Sequence, residues 1–306
     1  MRDSHGFPPR LIGLLVALTL GWGFNWPVMK IALSEMAPMH FRTWCLATGA
    51  VGLFAIARAN GSTMRIPSGQ FGRLLAISLV NMTCWNVFAI YGLPLLPSGR
   101  AAILGYTMPV WSVPLSVWLL KEPVSGRRVL GMALGFAGML ALLGGELQAV
   151  EHSPLGVVLL MGAAFSWALG TVMIKRWPVS LPAASFTAWQ MLLGGIPIFA
   201  VALFIESGSF DLLELSTGPF LATLYNMVVA FIICFWAWIT IARGASVGAA
   251  SIAVLMTPVV GLFSGMLLLG EQPRWLDYVA LVLVVLSIGT VVLPARRRDP
   301  GRDALG

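Results

Sequence analysis

Apolar residues run through this chain in ten blocks, separated by short polar stretches. The blocks cover residues 11–33, 39–57, 71–93, 99–120, 129–144, 155–174, 183–205, 220–242, 247–269 and 276–293. Most approach the roughly 20 residues that a helix needs to cross hydrocarbon, and each is read as a transmembrane helix, the fifth being short. The two longest connections fall near 60–70 and 207–219, and no stretch between blocks is long enough for a soluble domain. The first block has full spanning length and no small-residue cleavage site after it, so it is expected to be a membrane helix and not a cleavable signal.

The block pattern repeats. Residues 99–122 match 248–271 without a gap: Gly99 falls on Gly248, Ala101 on Ala250, Ile103 on Ile252, Pro109 on Pro258, Val110 on Val259 and Glu122 on Glu271. Earlier in the chain an offset of 145 aligns Trp22 with Trp167, Lys30 with Lys175, Trp44 with Trp189, Gly49 with Gly194 and Asn81 with Asn226. Blocks one to five thus repeat as six to ten. Five is odd, so the second copy enters the membrane from the opposite face, an inverted-topology repeat of the kind that supports alternating access. The expected fold is an all-α integral membrane protein of ten transmembrane helices in two inverted five-helix repeats around a central cavity. Its parts are a tail over 1–10, repeats over 11–144 and 155–293, and a tail over 294–306.

Composition agrees with a membrane protein. Of the 306 residues, 58% are hydrophobic and 10% charged, against about 25% charged in a soluble domain. The net charge of +7 reflects topology and not nucleic-acid binding. With both termini in the cytoplasm, 15 of the 19 Lys and Arg residues fall on that side, a strong positive-inside bias. Lys30, Arg42, Arg100 and Arg274 remain for the outer face. Cys45, Cys84 and Cys234 are scattered through apolar blocks, which indicates neither a disulfide framework nor a metal site.

The early Trp22 and Lys30, their mates Trp167 and Lys175, and the strings from Ala101 to Pro123 and Leu267 to Pro273 resemble one family. It is the drug/metabolite transporter superfamily, in its ten-helix bacterial form built from two EamA-type repeats. The overall look is most similar to the aromatic amino-acid exporters. The resemblance implies a basket of helices around a central cavity, with the fifth and tenth spans at the back. Small multidrug pumps of the same superfamily carry a membrane-embedded Glu in their first helix; this chain has none there.

The chemistry at membrane depth is amide, indole and phenol. His5, His40 and His152 lie in the tail or near span ends, and no block has Asp or Glu near its middle. A buried carboxylate is the usual proton or sodium handle of secondary transporters, so facilitated diffusion is favoured over proton antiport. No GxxxxGK[ST] loop offers ATP drive. The candidate cavity residues are Trp22, Asn25, Asn81, Trp85, Tyr106, Trp167 and Asn226. Asn offers donor and acceptor together, suited to a zwitterion, and Trp or Tyr can stack on an aromatic substrate or attract its ammonium. Asn in a span can equally be glue between helices, and Trp44, Trp177, Trp189 and Trp275 suit interfacial anchors. Pro109 and Pro258 are candidate hinges, with static kinks as the alternative. Lys30 and Lys175 are expected to snorkel, Glu122 and Glu271 to cap turns or serve a gate, and Gly131, Gly135 and Gly138 to pack span five against its neighbours.

The expected function is export of small amphipathic metabolites, with aromatic or other neutral amino acids leading, across the bacterial inner membrane. A proton-coupled antiporter and a lipid scramblase or flippase are the alternatives. An enzyme is disfavoured by the lack of His, Asp and Glu at depth. The expected partners are a small-molecule substrate and the bilayer. No cofactor, metal or nucleic acid is expected, and the chain is expected to act as a monomer.

Overall fold

The computed structural model describes residues 9–123, 125–148, 154–244 and 247–292. The tails, with Arg296, Arg297 and Arg298, and the connection holding Glu151 and His152 lie outside the described residues. Among the described residues the secondary structure is helical and no strand forms. The helices are α1 Pro9–Ala32, α2 Pro38–Ala59, α3 Phe71–Ser78, α4 Trp85–Gly92, α5 Ser98–Gly105, α6 Met108–Leu120, α7 Gly126–Gln148, α8 Leu155–Arg176, α9 Ala183–Phe204, α10 Thr217–Tyr225, α11 Cys234–Gly244, α12 Val247–Leu269 and α13 Trp275–Val292. Six segments among the described residues are long and apolar enough to cross a membrane, and three shorter apolar helices accompany them.

Large apolar side chains face outward along these segments, Trp118 at 75% and Phe204 at 80% exposure among them. Asn81, Asn86, Gln190 and Arg42 are buried inside. A water-soluble bundle would reverse that arrangement; hydrocarbon outside the helices explains it.

Two apolar blocks carry an unforeseen feature. A π-helical turn, Leu79–Cys84, joins α3 to α4, and another, Asn226–Ile233, joins α10 to α11. They overlap under the 145-residue offset. A π turn shifts the hydrogen-bond ladder by one residue and re-aims the side chains that follow. Small residues let the neighbours come close here. A Cβ on Gly194 would stand 2.6 Å from the Met82 Cβ, and one on its mate Gly49 would stand 2.8 Å from the Met191 Sδ and 3.1 Å from the Phe231 Cβ. Hence α2 and α9, which pack on each other, also clasp the two π turns.

The fourth block differs from its copy. It is broken at Tyr106–Thr107 into α5 and α6, whereas α12 runs unbroken past Pro258. Pro109 lies in the first turn of α6, where its missing N–H costs no ladder bond. The same proline thus sits in two backbone shapes, so it permits the break without imposing it. α7 packs along α13 through Gly135 and Gly138: a Cβ on Gly135 would stand 2.8 Å from Ser287 Oγ, and one on Gly138 would stand 3.1 Å from a Val284 methyl.

Three charges expected at the surface are placed otherwise. Lys30 does not snorkel: its Nζ donates to the Leu96 carbonyl at 2.7 Å and pairs with Glu271 at 3.3 Å. Arg100 is buried and ion-paired to Asp277. Arg42 is 3% exposed, because the connection after α9 roofs the start of α2. Glu206 in that connection accepts from the Met39 and His40 amides at 2.7 and 3.2 Å, and Phe210 lies 4.3 Å from the His40 ring. One turn below that roof, Arg42 is inside the bundle. Trp44 and Trp189 likewise anchor loops, donating to the Phe210 and Met64 carbonyls at 3.1 and 2.8 Å.

Candidate substrate cavity

A cavity of about 140 Å³ lies where α1, α2, the two π-turn segments, the α5–α6 break and α8 meet. Trp22, Asn25, Trp85, Tyr106 and Trp167 line it, all near the middle of their segments. The fold brings them together by three routes. Trp22 and Asn25 project from α1, one turn apart. Trp85 follows directly on the first π turn, and Tyr106 occupies the break between α5 and α6.

The aromatic wall is held by specific contacts. Trp22 Nε1 donates to the Ala230 carbonyl at 3.2 Å, and its ring meets Phe235 edge-on at 5.4 Å. Trp167 meets Trp85 edge-on at 5.2 Å. Trp26 and Tyr106 lie 6.4 Å apart in a T-shaped pair. Edge-to-face pairs at these distances fix ring planes while leaving the faces open to a ligand.

Asn81 and Asn226 are not in the lining. Asn81 Nδ2 donates to the Trp167 carbonyl at 3.3 Å, and a Cβ on Gly170 would stand 2.5 Å from the Asn81 Cβ. It therefore bridges the first π turn and α8. Asn226 is fully buried and its Nδ2 donates within its own helix, to the Ala222 carbonyl at 3.0 Å. Pro109 and Pro258 also lie outside the lining, although Met108, beside Pro109, is part of it.

Asn86 and Arg42 are further polar members of the wall, and Met29, Phe231 and Trp238 add apolar surface. Asn86 Nδ2 donates to the Met82 carbonyl at 2.7 Å, while its Oδ1 is buried and has no partner in the protein. The Asn25 Oδ1 and the Arg42 Nε are in the same condition. Buried polar atoms are nearly always paired; of the six without a protein partner among the described residues, three lie on the wall of this cavity, the others being Trp111 Nε1, Gln190 Oε1 and Asn226 Oδ1. The one trace of Arg42 in the sequence is its place inside an apolar block, three residues from the block's start.

Two Lys–Glu pairs stand at either end of the Ser98–Leu120 segment, with the cavity between them. At one end Glu271 pairs with Lys30; its Oε1 accepts from the Ser98 amide at 2.6 Å, and its Oε2 from Ser98 Oγ at 2.9 Å and the Gly99 amide at 3.2 Å. At the other end Glu122 pairs with Lys175. The pairs exchange under the repeat, since Lys30 is the mate of Lys175 and Glu271 of Glu122. They differ in setting. Lys30 and Glu271 are 31% and 13% exposed, Lys175 and Glu122 67% and 20%.

An outward-apolar helical bundle with an amide- and indole-lined hollow at mid-depth is the architecture of a multi-pass membrane transporter. Comparison with known proteins gives the family. The EamA-like transporter family matches this chain twice, over residues 10–144 and 154–293, and the chain belongs to that family. It is similar to the transporter YoaV of Bacillus subtilis, at 27% identity over 84% of this chain and 88% of the relative. It is also similar to the probable amino-acid metabolite efflux pump of Escherichia coli, at 27% identity over 94% and 96%. A protein of known crystal structure superimposes with a TM-score of 0.63 at 20% identity, covering 92% of this chain and 98% of its own, which speaks to the fold.

Proposed function

We propose that this protein is an inner-membrane exporter of aromatic or other neutral amino acids, working by alternating access as a facilitator. Ten transmembrane helices in two inverted repeats, over 11–144 and 155–293, form it, with both termini in the cytoplasm. The observation that carries the substrate class is the cavity itself: indole and phenyl faces for an apolar side chain, beside unpaired amide oxygens for a charged amino group. The name of the Escherichia coli relative, an efflux pump for amino-acid metabolites, points the same way.

Alternating access is supported by the difference between mates. Inverted repeats exchange conformations when the cavity changes sides. The α5–α6 break against unbroken α12, and a well-sheltered Lys30–Glu271 pair against an exposed Lys175–Glu122 pair, are differences of that kind. Lys30–Glu271 is read as the latch of a shut end and Lys175–Glu122 as the latch of the end that opens. Glu271, Asp277 and Glu122 each lie at a helix end and are engaged by a cation, and among the described residues no free carboxylate at mid-depth offers a proton handle.

Flux of labelled phenylalanine into proteoliposomes tests the reading, with and without an imposed pH gradient. Wild-type protein is expected to equilibrate the label without the gradient. The Trp22→Ala, Trp167→Ala double variant is expected to lose flux at least tenfold while eluting as a folded species. Wild-type liposomes with no uptake of any neutral amino acid would remove the substrate assignment.

A further inference from the structure

Arg42 is a buried cation whose needs the described residues leave unmet. Its side chain lines the cavity and is 3% exposed. Nη2 donates to the Met29 thioether sulfur at 2.9 Å, a weak acceptor, and Nε donates to nothing in the protein. The rings of Phe41 and Phe231 lie 5.3 Å from its Cζ as cation–π neighbours, and its Nε–H remains an unused donor. Among the described residues no carboxylate reaches ion-pair distance of it. Among the described residues, buried Arg100 is ion-paired to Asp277 and half-buried Lys30 to Glu271. A charge taken out of water is tolerated when it has a counter-ion, so a bound anion would complete this site.

The neighbouring amides complement that anion. Asn25 Nδ2 approaches the same Met29 sulfur at 4.0 Å, so Asn25 and Arg42 share one neighbour. The Asn25 and Asn86 Oδ1 atoms are acceptors without donors. A guanidinium edge beside two amide oxygens is the complement of a carboxylate joined to an ammonium.

We propose that Arg42 is the carboxylate anchor of the substrate site. Its planar fork of donors takes the carboxylate, as guanidinium groups do bidentately. The Oδ1 atoms of Asn25 and Asn86 take the ammonium, and the Trp22, Trp85 and Trp167 rings take the side chain. The inference rests on the amino-acid reading and narrows it: a transported molecule must carry an anionic carboxylate, and the amine lacking one is rejected.

Proteoliposome flux of phenylalanine and of phenethylamine, the same molecule without its carboxylate, is the test. Wild-type protein should move phenylalanine at least tenfold faster. Arg42→Gln should lose that preference by slowing phenylalanine while leaving phenethylamine unchanged or faster, and Arg42→Lys should retain part of it. Equal wild-type flux of the two compounds, or an Arg42→Gln variant that keeps the preference, overturns the anchor and leaves the amino-acid reading standing. If wild-type protein moves neither these compounds nor any other neutral amino acid, that reading falls, and binding decides the anchor. Phenylacetate, which has the carboxylate and no ammonium, should quench the tryptophan fluorescence of detergent-solubilised wild type and do so at least tenfold more weakly in Arg42→Gln. No quenching of the wild type overturns the proposal. The wild-type comparisons need no variant to fold.

Discussion

Glu271→Gln is the substitution that most directly opens the end of the bundle held by Lys30. The carboxylate gathers four donors: Lys30 Nζ at 3.3 Å and the Ser98 amide at 2.6 Å on one oxygen, Ser98 Oγ at 2.9 Å and the Gly99 amide at 3.2 Å on the other. Glutamine keeps one oxygen and turns an NH2 toward the remaining pair of donors. Two bonds to a charged acceptor are thus lost, at about 1.5–3 kcal/mol each, with some recovery because the Ser98 hydroxyl can rotate to accept. The favourable placement of an anion at the first turn of α5 goes with them, about 0.3–1 kcal/mol. The shut state should weaken by roughly 2–4 kcal/mol, a shift of about 30- to 1000-fold in the equilibrium. Glu122→Gln removes a pair whose lysine is 67% exposed; such pairs contribute about 0–1 kcal/mol, so the shift should stay under roughly fivefold. The assay is labelling of a cysteine placed by Ala89→Cys on the cavity wall, with Cys45, Cys84 and Cys234 changed to Ala. A membrane-impermeant maleimide is presented to proteoliposomes from each side in turn. Glu271→Gln should raise the labelling rate from the Lys30 side, and Glu122→Gln should change it little. Equal rates for the two variants, or no rise in Glu271→Gln, would refute the assignment of the sheltered pair as the stronger latch.

Two further outcomes follow from the geometry. Asp277→Asn leaves Arg100 buried without its counter-charge and should destabilise the fold by about 3–5 kcal/mol; the Arg100→Met, Asp277→Leu double variant should recover more than half of that by thermal unfolding in detergent. Pro109→Ala restores an N–H beside the Tyr106–Thr107 break and should lower the maximal flux of phenylalanine several-fold without altering its half-saturation. Flux equal to wild type at normal expression would make Pro109 a static feature and not a hinge.

The helices were legible because hydrocarbon is an unforgiving solvent. A backbone crossing it must satisfy its own polar groups, so a block of about 20 apolar residues has few alternatives to a helix. The duplication was legible because both copies kept Trp, Gly, Pro and Glu at fixed spacing. Trp22, Asn25, Trp85, Tyr106 and Trp167 could be nominated for the same reason: a polar or indole group in an apolar block needs somewhere to point. Within the nominated set, Asn81 and Asn226 show the limit. In sequence they are equivalent to Asn25, and only packing shows that one bridges to the Trp167 carbonyl while the other turns back on its own helix.

Position along the chain also misleads where a loop folds back over a helix end. Arg42 lies one turn inside α2, at a place that reads as a headgroup charge until the connection around Glu206 and Phe210 roofs it over. The two π turns have no sequence signature, being a choice of hydrogen-bond register made by the segments that clasp them. What the sequence by itself determined was a membrane-embedded helical chain whose two halves match one family, with aromatic and amide groups inside its apolar blocks, because hydropathy and spacing are properties of the linear chain. Tertiary structure alone decided which of those groups meet, that Arg42 is buried with no carboxylate of the described residues at ion-pair distance, and which of two equivalent Lys–Glu pairs is sheltered. Contact, burial and dielectric depend on neighbours far apart in the chain.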